Sequence, residues 1–245
     1  MLILFDIDGT LLRTEGMGLS AIENAGKSLF GERFTTQGID AAGRIDPLIF
    51  SEMLRNSGAP DTPASHAALR TLYTKTLLDM LKQNPTSTRA MPGVHALLDL
   101  LEVNARDRTG HAAITLGVLT GNFEATGKAK MRACKIDPDR FHIGVWGDDS
   151  PHTPPSRDHL VPVGMERAKV VRGGSAVTPE RVLVIGDTPH DVRCAKVHGC
   201  RALGVATGRF SRDELAASGA DLAVEDLSAT AEIHQWILNE RLTGG

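Results

Sequence analysis

The sequence has little cysteine, few aromatic residues and no large excess of charge, and each shortage excludes a class of protein. Three cysteines stand among 245 residues, with no C-x-x-C pair, which favours reduced thiols in a cytoplasmic protein over a disulfide scaffold. Seven Phe, two Trp, one Tyr and a net charge of −3 predict no nucleic-acid surface and no anionic membrane partner. No apolar run approaches the roughly 18 residues of a membrane helix.

What the sequence does have is a series of short apolar runs separated by helical patterns. Because these runs are continuous rather than alternating, they predict strands buried on both faces, as in a parallel sheet. The predicted strands are 2–6, 114–120, 142–146, 181–186, 201–205 and, more weakly, 221–224. Helical patterns between the later strands cover 92–106, 122–134, 158–172 and 189–199. We therefore expect an α/β fold with a Rossmann-like parallel sheet and helices on both faces.

One region breaks this alternation, because about 75 residues after the first strand contain no convincing strand. The patterns at 16–31, 46–58 and 62–84 predict helices, and a simple crossover between parallel strands does not need that length. We therefore expect a core domain formed by residues 1–14 and 89–245, and a helical domain inserted at 15–88.

Acidic residues follow two of the predicted strands. Asp6 and Asp8 come at the end of the first, and Asp187 and Asp191 follow the run at 181–186. Ligands of open α/β sheets bind at the carboxyl ends of the strands, so these four acids should meet at one edge. Carboxylates so close together repel unless a cation neutralises them, and all-oxygen ligands suit Mg²⁺. The sequence thus predicts a magnesium site.

Hydroxyl groups and glycine amides follow the same strands and predict an anion site beside the cation. Thr10 and Thr120 can donate hydroxyls to phosphate oxygens, and the main chain near Gly9 and Gly121 can donate amides. Asn122 is expected to cap the following helix. A cation site next to a phosphate site is what phosphoryl transfer requires.

The two acids of the first strand can divide the chemistry between them. Residues i and i+2 of an extended chain point the same way, so the side chains of Asp6 and Asp8 should face one ligand. Asp6 could attack phosphorus and form an aspartyl-phosphate, while Asp8 protonates the leaving oxygen and then deprotonates a water molecule.

Three motifs in this order resemble those of the haloacid dehalogenase superfamily. They are D-x-D-G-T after the first strand, L-T-G-N after a later strand, and G-D-x-x-x-D after another. The place of the helical insertion is similar to that of members with a type-1 helical cap, and the nearest likeness is to phosphoglycolate-phosphatase-like members.

The resemblance implies roles for the motif residues. Asp6 would be the nucleophile and a Mg²⁺ ligand, and Asp8 the general acid/base and a ligand through its main-chain carbonyl. Thr120 would hold the phosphoryl group. Asp187 would complete the protein ligands of the metal, and Asp191 would support them indirectly or through water.

Two arginines are expected at the substrate. The family holds nucleophile and phosphate with a Lys or Arg, often within Lys-Pro, which is absent here. Arg157 is the candidate, because an arginine in such a loop resembles a variant found in some members, and its guanidinium would bind phosphate through two donors. Lys128 and Lys169 are the fallbacks. In the cap, Arg44 could pair with a second anionic group of the substrate, or be a surface arginine. Gly9, Thr10, Gly121 and Asn122 complete the predicted substrate contacts.

The expected function is that of a Mg²⁺-dependent phosphomonoesterase acting on a small phosphorylated metabolite. A phosphosugar mutase of the same superfamily would keep the same acids. Dehalogenase or phosphonatase chemistry is disfavoured, because the resemblance implies a different residue at the position of Asp8 in those branches. A phospho-aspartate receiver is a non-enzymatic alternative, and a degenerate regulatory member is another. Neither the substrate nor the oligomeric state follows from the sequence.

Overall fold

The computed structural model describes residues 1–103 and 114–239, and its largest feature is a six-stranded parallel sheet. The strands of the structure are β1 (Leu2–Phe5), β2 (Leu12–Arg13), β3 (Arg89–Ala90), β4 (Thr115–Leu119), β5 (Ile143–Val145), β6 (Val182–Gly186), β7 (Arg201–Val205) and β8 (Leu222–Val224). The sheet has the order β5-β4-β1-β6-β7-β8. All six predicted strands are confirmed, and β1 lies in the middle between β4 and β6.

The α-helices of the described residues are α1 (Met17–Phe30), α2 (Asp46–Ser57), α3 (Pro63–Gln83), α4 (Val94–Val103), α5 (Glu124–Ala133), α6 (Leu160–Val171), α7 (Pro189–Lys196), α8 (Arg212–Ala217) and α9 (Thr230–Leu238). Helices from α4 onwards cover both faces of the sheet. The last three residues of the helix predicted at 92–106 lie outside the described residues. The Rossmann-like α/β fold expected from the sequence is confirmed.

The alternation of side chains along β1 explains how two cores form. Ile3 and Phe5 pack on one face with residues of α4, α5 and α9, while Leu2 and Leu4 pack on the other with residues of α6 and α7. Since successive residues of a strand point to opposite faces, four consecutive apolar residues place β1 in the centre of the sheet. The residues that follow β1 are therefore held rigidly.

A third apolar core joins α1, α2 and α3, apart from the sheet. Both ends of this segment lie next to a short antiparallel ribbon, in which Leu12 of β2 pairs with Ala90 of β3. The ribbon was not predicted, since two-residue strands carry no periodic signal. Within the described residues, no helix is long and apolar enough to cross a membrane.

Candidate active site

Three neighbouring strands end at one side of a cavity of about 480 Å³. Asp6 follows β1, Thr120 follows β4 and Asp187 follows β6, so the order β4-β1-β6 places these three side chains together. All three line the cavity, as the parallel topology predicts for the carboxyl ends of strands. The opposite wall comes from α1, α2 and α3, including Ile22 and Tyr73.

Arg157 binds Asp6 at the bottom of the cavity. It lies in a 3-10 turn that leads into α6, and its Nη2 donates to Oδ1 of Asp6 at 2.8 Å. The same nitrogen also donates to Oδ1 of Asp191, and Nη1 donates to the carbonyl of Gly43 at 3.2 Å. Both Arg157 and Asp6 are buried, so this charge pair lies in a region of low dielectric constant. The structure thus brings the arginine singled out in the sequence to the predicted nucleophile.

The acids beside it form a cluster that lacks enough positive charge. Carboxylate oxygens of Asp6, Asp187 and Asp191 lie within 4.8 Å of one another. Burial raises the pKa of Asp6 and of Asp187, and the charges of neighbouring carboxylates raise both further, while Arg157 opposes the rise. A hard divalent cation would relieve this repulsion, and carboxylate oxygens are the ligands that Mg²⁺ prefers. The residues present therefore fit a magnesium ion.

Asp191 has a different environment from the other two acids. It forms a capping box with Thr188 at the start of α7, in which its Oδ2 accepts from Thr188 N at 3.0 Å and from Thr188 Oγ1 at 2.7 Å. Its other oxygen accepts from Arg157. Since both oxygens already have partners, Asp191 is better placed to orient Arg157 than to bind a metal directly.

Asp8 is not one of the three clustered acids and is held by Asn122 and Lys130. Its side chain is 43% exposed, and Oδ2 accepts from Lys130 Nζ at 2.7 Å and from Asn122 Nδ2 at 2.8 Å. Asn122 also donates to Thr120 Oγ1 at 2.8 Å and accepts from Lys130 Nζ at 2.7 Å. The expectation that Asn122 caps the next helix was wrong: the residue before α5 is Phe123, and no side chain caps it.

Lys130 was not predicted as a site residue, although it is only 4% exposed and lines the cavity. Thr126 and Lys130 lie four residues apart on one face of α5 and both are buried, but no local pattern in the sequence indicates that this face is turned inwards. The two fallback lysines lie elsewhere. Lys128 pairs with Glu124 and Lys169 with Glu166, both on the protein surface.

The predicted glycine and threonine contacts divide into two groups. Gly9 lines the cavity with φ +85°, and a Cβ there would lie 2.3 Å from Oδ2 of Asp187, so this position needs glycine. Thr10 is fully buried, and its hydroxyl donates to Asp187 Oδ1 at 3.4 Å. The prediction that Thr10 offers its hydroxyl to phosphate therefore finds no support in this geometry. Gly121 lines the cavity as expected.

The loop before α2 closes over Gly121. A Cβ at Gly121 would lie 1.9 Å from the carbonyl oxygen of Arg44, and Asp46 N donates to the carbonyl of Gly121 at 2.8 Å. Asp46 Oδ2 accepts from Phe123 N at 3.2 Å, and burial raises the pKa of this carboxyl to about 7. Asp46 therefore ties the helical segment to the end of β4.

Arg44 lines the cavity, as expected of a substrate contact, but its charge is already paired. Its Nη1 lies 2.6 Å from Oε2 of Glu52 and donates to the carbonyl of Asp40 at 2.9 Å. A second anionic group of a substrate would have to displace Glu52 to bind here. The predicted role of Arg44 stays a prediction.

Comparisons with known proteins agree with this geometry. A HAD-hydrolase-like family model matches residues 162–230. The pyrophosphatase PpaX of Anoxybacillus flavithermus is 24% identical over 235 residues, which cover 92% of this chain and 93% of that protein.

Solved structures share the fold across almost the whole chain. A mutant of CbbY from Rhodobacter sphaeroides, in complex with xylulose-(1,5)-bisphosphate, superposes with a TM-score of 0.71 at 22% identity, covering 93% of this chain and 94% of that one. A hydrolase from Pseudomonas syringae gives 0.65 at 21% identity, with 96% and 98% covered. The matched family model, the curated relative and the shared fold make this chain similar to haloacid dehalogenase-like hydrolases.

Proposed function

We propose that the protein is a Mg²⁺-dependent phosphomonoesterase that hydrolyses a small phosphorylated molecule through a phosphorylated Asp6. The observation that carries this proposal is the buried contact between Asp6 and Arg157, set among acids at the base of a cavity. Segment 15–88 would act as the cap that covers the substrate and excludes water from the first step.

In the first step, a carboxylate oxygen of Asp6 attacks phosphorus, and a new O–P bond forms while the ester P–O bond breaks. Asp8 gives a proton to the leaving oxygen, because a departing alkoxide is too basic to leave unprotonated. In the second step, Asp8 takes a proton from water, the water oxygen attacks phosphorus, and the bond to Asp6 breaks to release inorganic phosphate. The exposure of Asp8 to the cavity supports this assignment.

Arg157 would hold Asp6 in line with the phosphoryl group and bind its oxygens. The Nε of this guanidinium is buried and lacks a hydrogen-bond partner among the described residues, so one donor is unused. Thr120 and the main chain at Gly121 would contact the phosphoryl group from the other side. Both residues line the cavity, and the Thr120 hydroxyl is oriented by Asn122.

Asp6, Asp187 and the main-chain carbonyl of Asp8 would hold Mg²⁺, with Asp191 supporting them through Arg157. When bound, the ion supplies positive charge that lets the acids remain ionised beside a phosphate dianion. Small phosphorylated substrates are also named for the relatives: pyrophosphate for PpaX and xylulose bisphosphate for CbbY. These two names support a small phosphorylated molecule as the class of substrate for this protein, but they do not indicate one particular compound.

Hydrolysis of p-nitrophenyl phosphate, with and without Mg²⁺, tests the proposal. We expect metal-dependent turnover that falls by roughly 10²–10⁴-fold in Asp8→Asn, the range of a general acid/base. Asp99→Asn, a surface change on α4 outside the cavity, is the matched control and should keep wild-type turnover. Turnover that is independent of metal, or unaffected by Asp8→Asn, would overturn the mechanism.

Two other outcomes would indicate other functions. Turnover of a phosphosugar that requires a bisphosphate activator, with transfer of phosphate to sugar rather than water, would indicate a mutase. A phosphorylated Asp6 that persists for minutes in Mg²⁺ would indicate a regulatory module that stores phosphate.

A further inference from the structure

The cavity contains five basic side chains, and four of them already have a carboxylate partner. The five are Arg13, Arg44, Lys130, Arg157 and Arg209. The four pairs are Arg44 with Glu52, Lys130 with Asp8, Arg157 with Asp6, and Arg209 with Asp40. Within the described part of the chain, Arg13 pairs with no carboxylate.

Arg13 instead donates from Nη2 to the main-chain carbonyl of Thr207. This single neutral acceptor holds the side chain in place but leaves its positive charge uncompensated. Of five donors on a guanidinium, the described contacts use one. An arginine that is partly withdrawn from water and not neutralised by the protein is suited to an anionic ligand.

The anchor of Arg13 lies beside the acid cluster. The hydroxyl of Thr207 donates to the carbonyl of Gly9, in the loop that follows Asp8. At the next residue, Gly208, a Cβ would lie 1.8 Å from Oδ2 of Asp187. The carbonyl that accepts from Arg13 therefore belongs to the residue before Gly208, which packs against Asp187. An anion bound there would lie close to the phosphoryl site and not at the far end of the cavity.

Thr14 adds a second, independent donor on the same stretch of chain. It is 4% exposed and lines the cavity, and its hydroxyl has no hydrogen-bond partner among the described residues. This hydroxyl is therefore available to a ligand or to water in the cavity. Arg13 and Thr14 together thus offer one charged and one neutral donor to the cavity.

We propose that Arg13 and Thr14 form a subsite for a second anionic group of the substrate, either a carboxylate or a phosphate, placed within a few bonds of the scissile phosphate. This inference rests on the proposed function, since it assigns a substrate class to the same cavity. The substrate is then a compact phosphate whose leaving group is itself anionic, not a phosphomonoester with an uncharged, bulky leaving group. Arg13 is a specificity-determining residue, and it replaces Arg44 as the expected contact of the second anion.

The test uses matched phosphonates, which bind without being hydrolysed. Ethylphosphonate and phosphonoacetate differ in that a carboxylate replaces a methyl group, and methylenediphosphonate carries a second phosphonate instead. Binding of each to the full chain is measured by calorimetry in saturating Mg²⁺, in wild type, Arg13→Gln, Arg13→Lys and Arg33→Gln. Arg33 is exposed and outside the cavity, so Arg33→Gln makes the same chemical change away from the subsite.

We expect wild type and Arg33→Gln to bind phosphonoacetate or methylenediphosphonate, which carry two anionic groups, about 10- to 100-fold more tightly than ethylphosphonate. This is the range of a charge-assisted contact. Arg13→Gln should abolish this preference, and Arg13→Lys should keep part of it, because lysine retains charge without the fork. Whichever compound is preferred identifies the anion as carboxylate or phosphate.

Three results would overturn the subsite. One is a wild-type protein that binds all three compounds equally, and another is a preference that survives Arg13→Gln. The third is an equal loss of affinity for all three compounds in Arg13→Gln, which would mean that Arg13 has a structural role only. Failure of the proposed function has a separate signature, since it appears as absent hydrolysis of phosphate esters whatever the phosphonate affinities are.

Discussion

The two walls of the cavity are built in different ways. On the sheet side, Asp6, Asp187 and Arg157 are buried and each is fixed by the end of a strand or by a turn packed against one. On the helical side, Arg44 pairs with Glu52 at side-chain exposures of 26% and 29%, and such half-exposed pairs contribute little to stability. The wall on the sheet side is therefore rigid and suited to catalysis, while the wall on the helical side can adapt and is suited to substrate selection.

The largest expected effect is on the sheet side, from Asp6→Asn. Removing the attacking oxygen should lower turnover of p-nitrophenyl phosphate by at least about 10⁴-fold. The melting temperature should not fall, because the change removes a buried charge that neighbouring carboxylates oppose. Steady-state rates and thermal unfolding of the same sample check both statements. If activity persists, or if loss of activity merely follows loss of fold, Asp6 is not the nucleophile.

Arg157→Met should also act on the sheet side, with both chemistry and stability affected. It leaves the carboxylates of Asp6 and Asp191 buried without their cation, which should lower stability by about 3–5 kcal/mol. Turnover should fall by about 10²–10³-fold, as for removal of a donor to developing charge. Arg157→Lys should restore stability more than turnover. Equal recovery of both would show that charge alone is needed and that the guanidinium geometry is not.

Asp46 tests the junction between the two walls through its pH dependence. Burial raises the pKa of Asp46 from 3.8 to about 7 in the folded protein, although the positive charge of Lys130 partly opposes this rise. Between about pH 4 and 7 the unfolded chain ionises this group while the folded chain does not, so wild-type stability falls as pH rises through this window.

Asp46→Asn keeps an acceptor for Phe123 N and removes the titration. Relative to wild type, the variant should gain stability from pH 4 to 7, by on the order of 4 kcal/mol, and the difference should be constant above pH 7. Denaturant unfolding at a series of pH values measures it. A difference that is independent of pH would contradict the raised pKa.

Metal binding gives a smaller effect on stability, again confined to the sheet side. A ligand at 100 times its dissociation constant stabilises the folded state by about 2.7 kcal/mol. Mg²⁺ should therefore raise the melting temperature of wild type and of Asp99→Asn, and should not raise that of Asp187→Asn. If Asp187→Asn keeps the full shift, the ion binds somewhere other than the acid cluster.

The smallest effect is expected where the helical segment meets the sheet domain at the surface. Arg70 Nη1 lies 2.7 Å from Oδ2 of Asp148, with side-chain exposures of 43% and 32%. Asp148→Asn removes this charge pair but leaves the Arg70 guanidinium over the ring of Phe123. Stability in 0.15 M salt should change by less than about 1 kcal/mol. A larger loss would mean that surface pairs, and not only Asp46, hold the two walls together.

Site residues on the sheet side could be predicted from the sequence better than those on the helical side, for a physical reason. Each acid of the cluster follows an apolar run, and the carboxyl ends of parallel strands must meet, so Asp6 and Asp187 could be placed together without coordinates. Arg157 was singled out because an arginine in the loop before this helix resembles the phosphate-holding cation of some family members. These are short-range signals combined with one rule of topology.

Residues that depend on tertiary contacts could not be placed in this way. Lys130 reaches Asp8 across 122 positions, and Asn122 turns towards Asp8 and Thr120 in place of capping α5. The hydroxyl of Thr10 is used by Asp187. Nothing local to these residues indicates which partner wins. The charge of Arg13 can be recognised as uncompensated only from the structure, which shows that the other basic groups of the cavity have carboxylate partners.

The most direct test of the central claim is to trap the covalent intermediate. Wild-type protein turning over a phosphate ester in Mg²⁺ is quenched within milliseconds and reduced with borohydride, which converts an aspartyl-phosphate to homoserine, and its peptides are analysed by mass spectrometry. We predict conversion at Asp6 alone, dependent on substrate and absent in Asp6→Asn. Active enzyme with no conversion at Asp6, or with conversion at Asp8 or Asp187, would contradict the account.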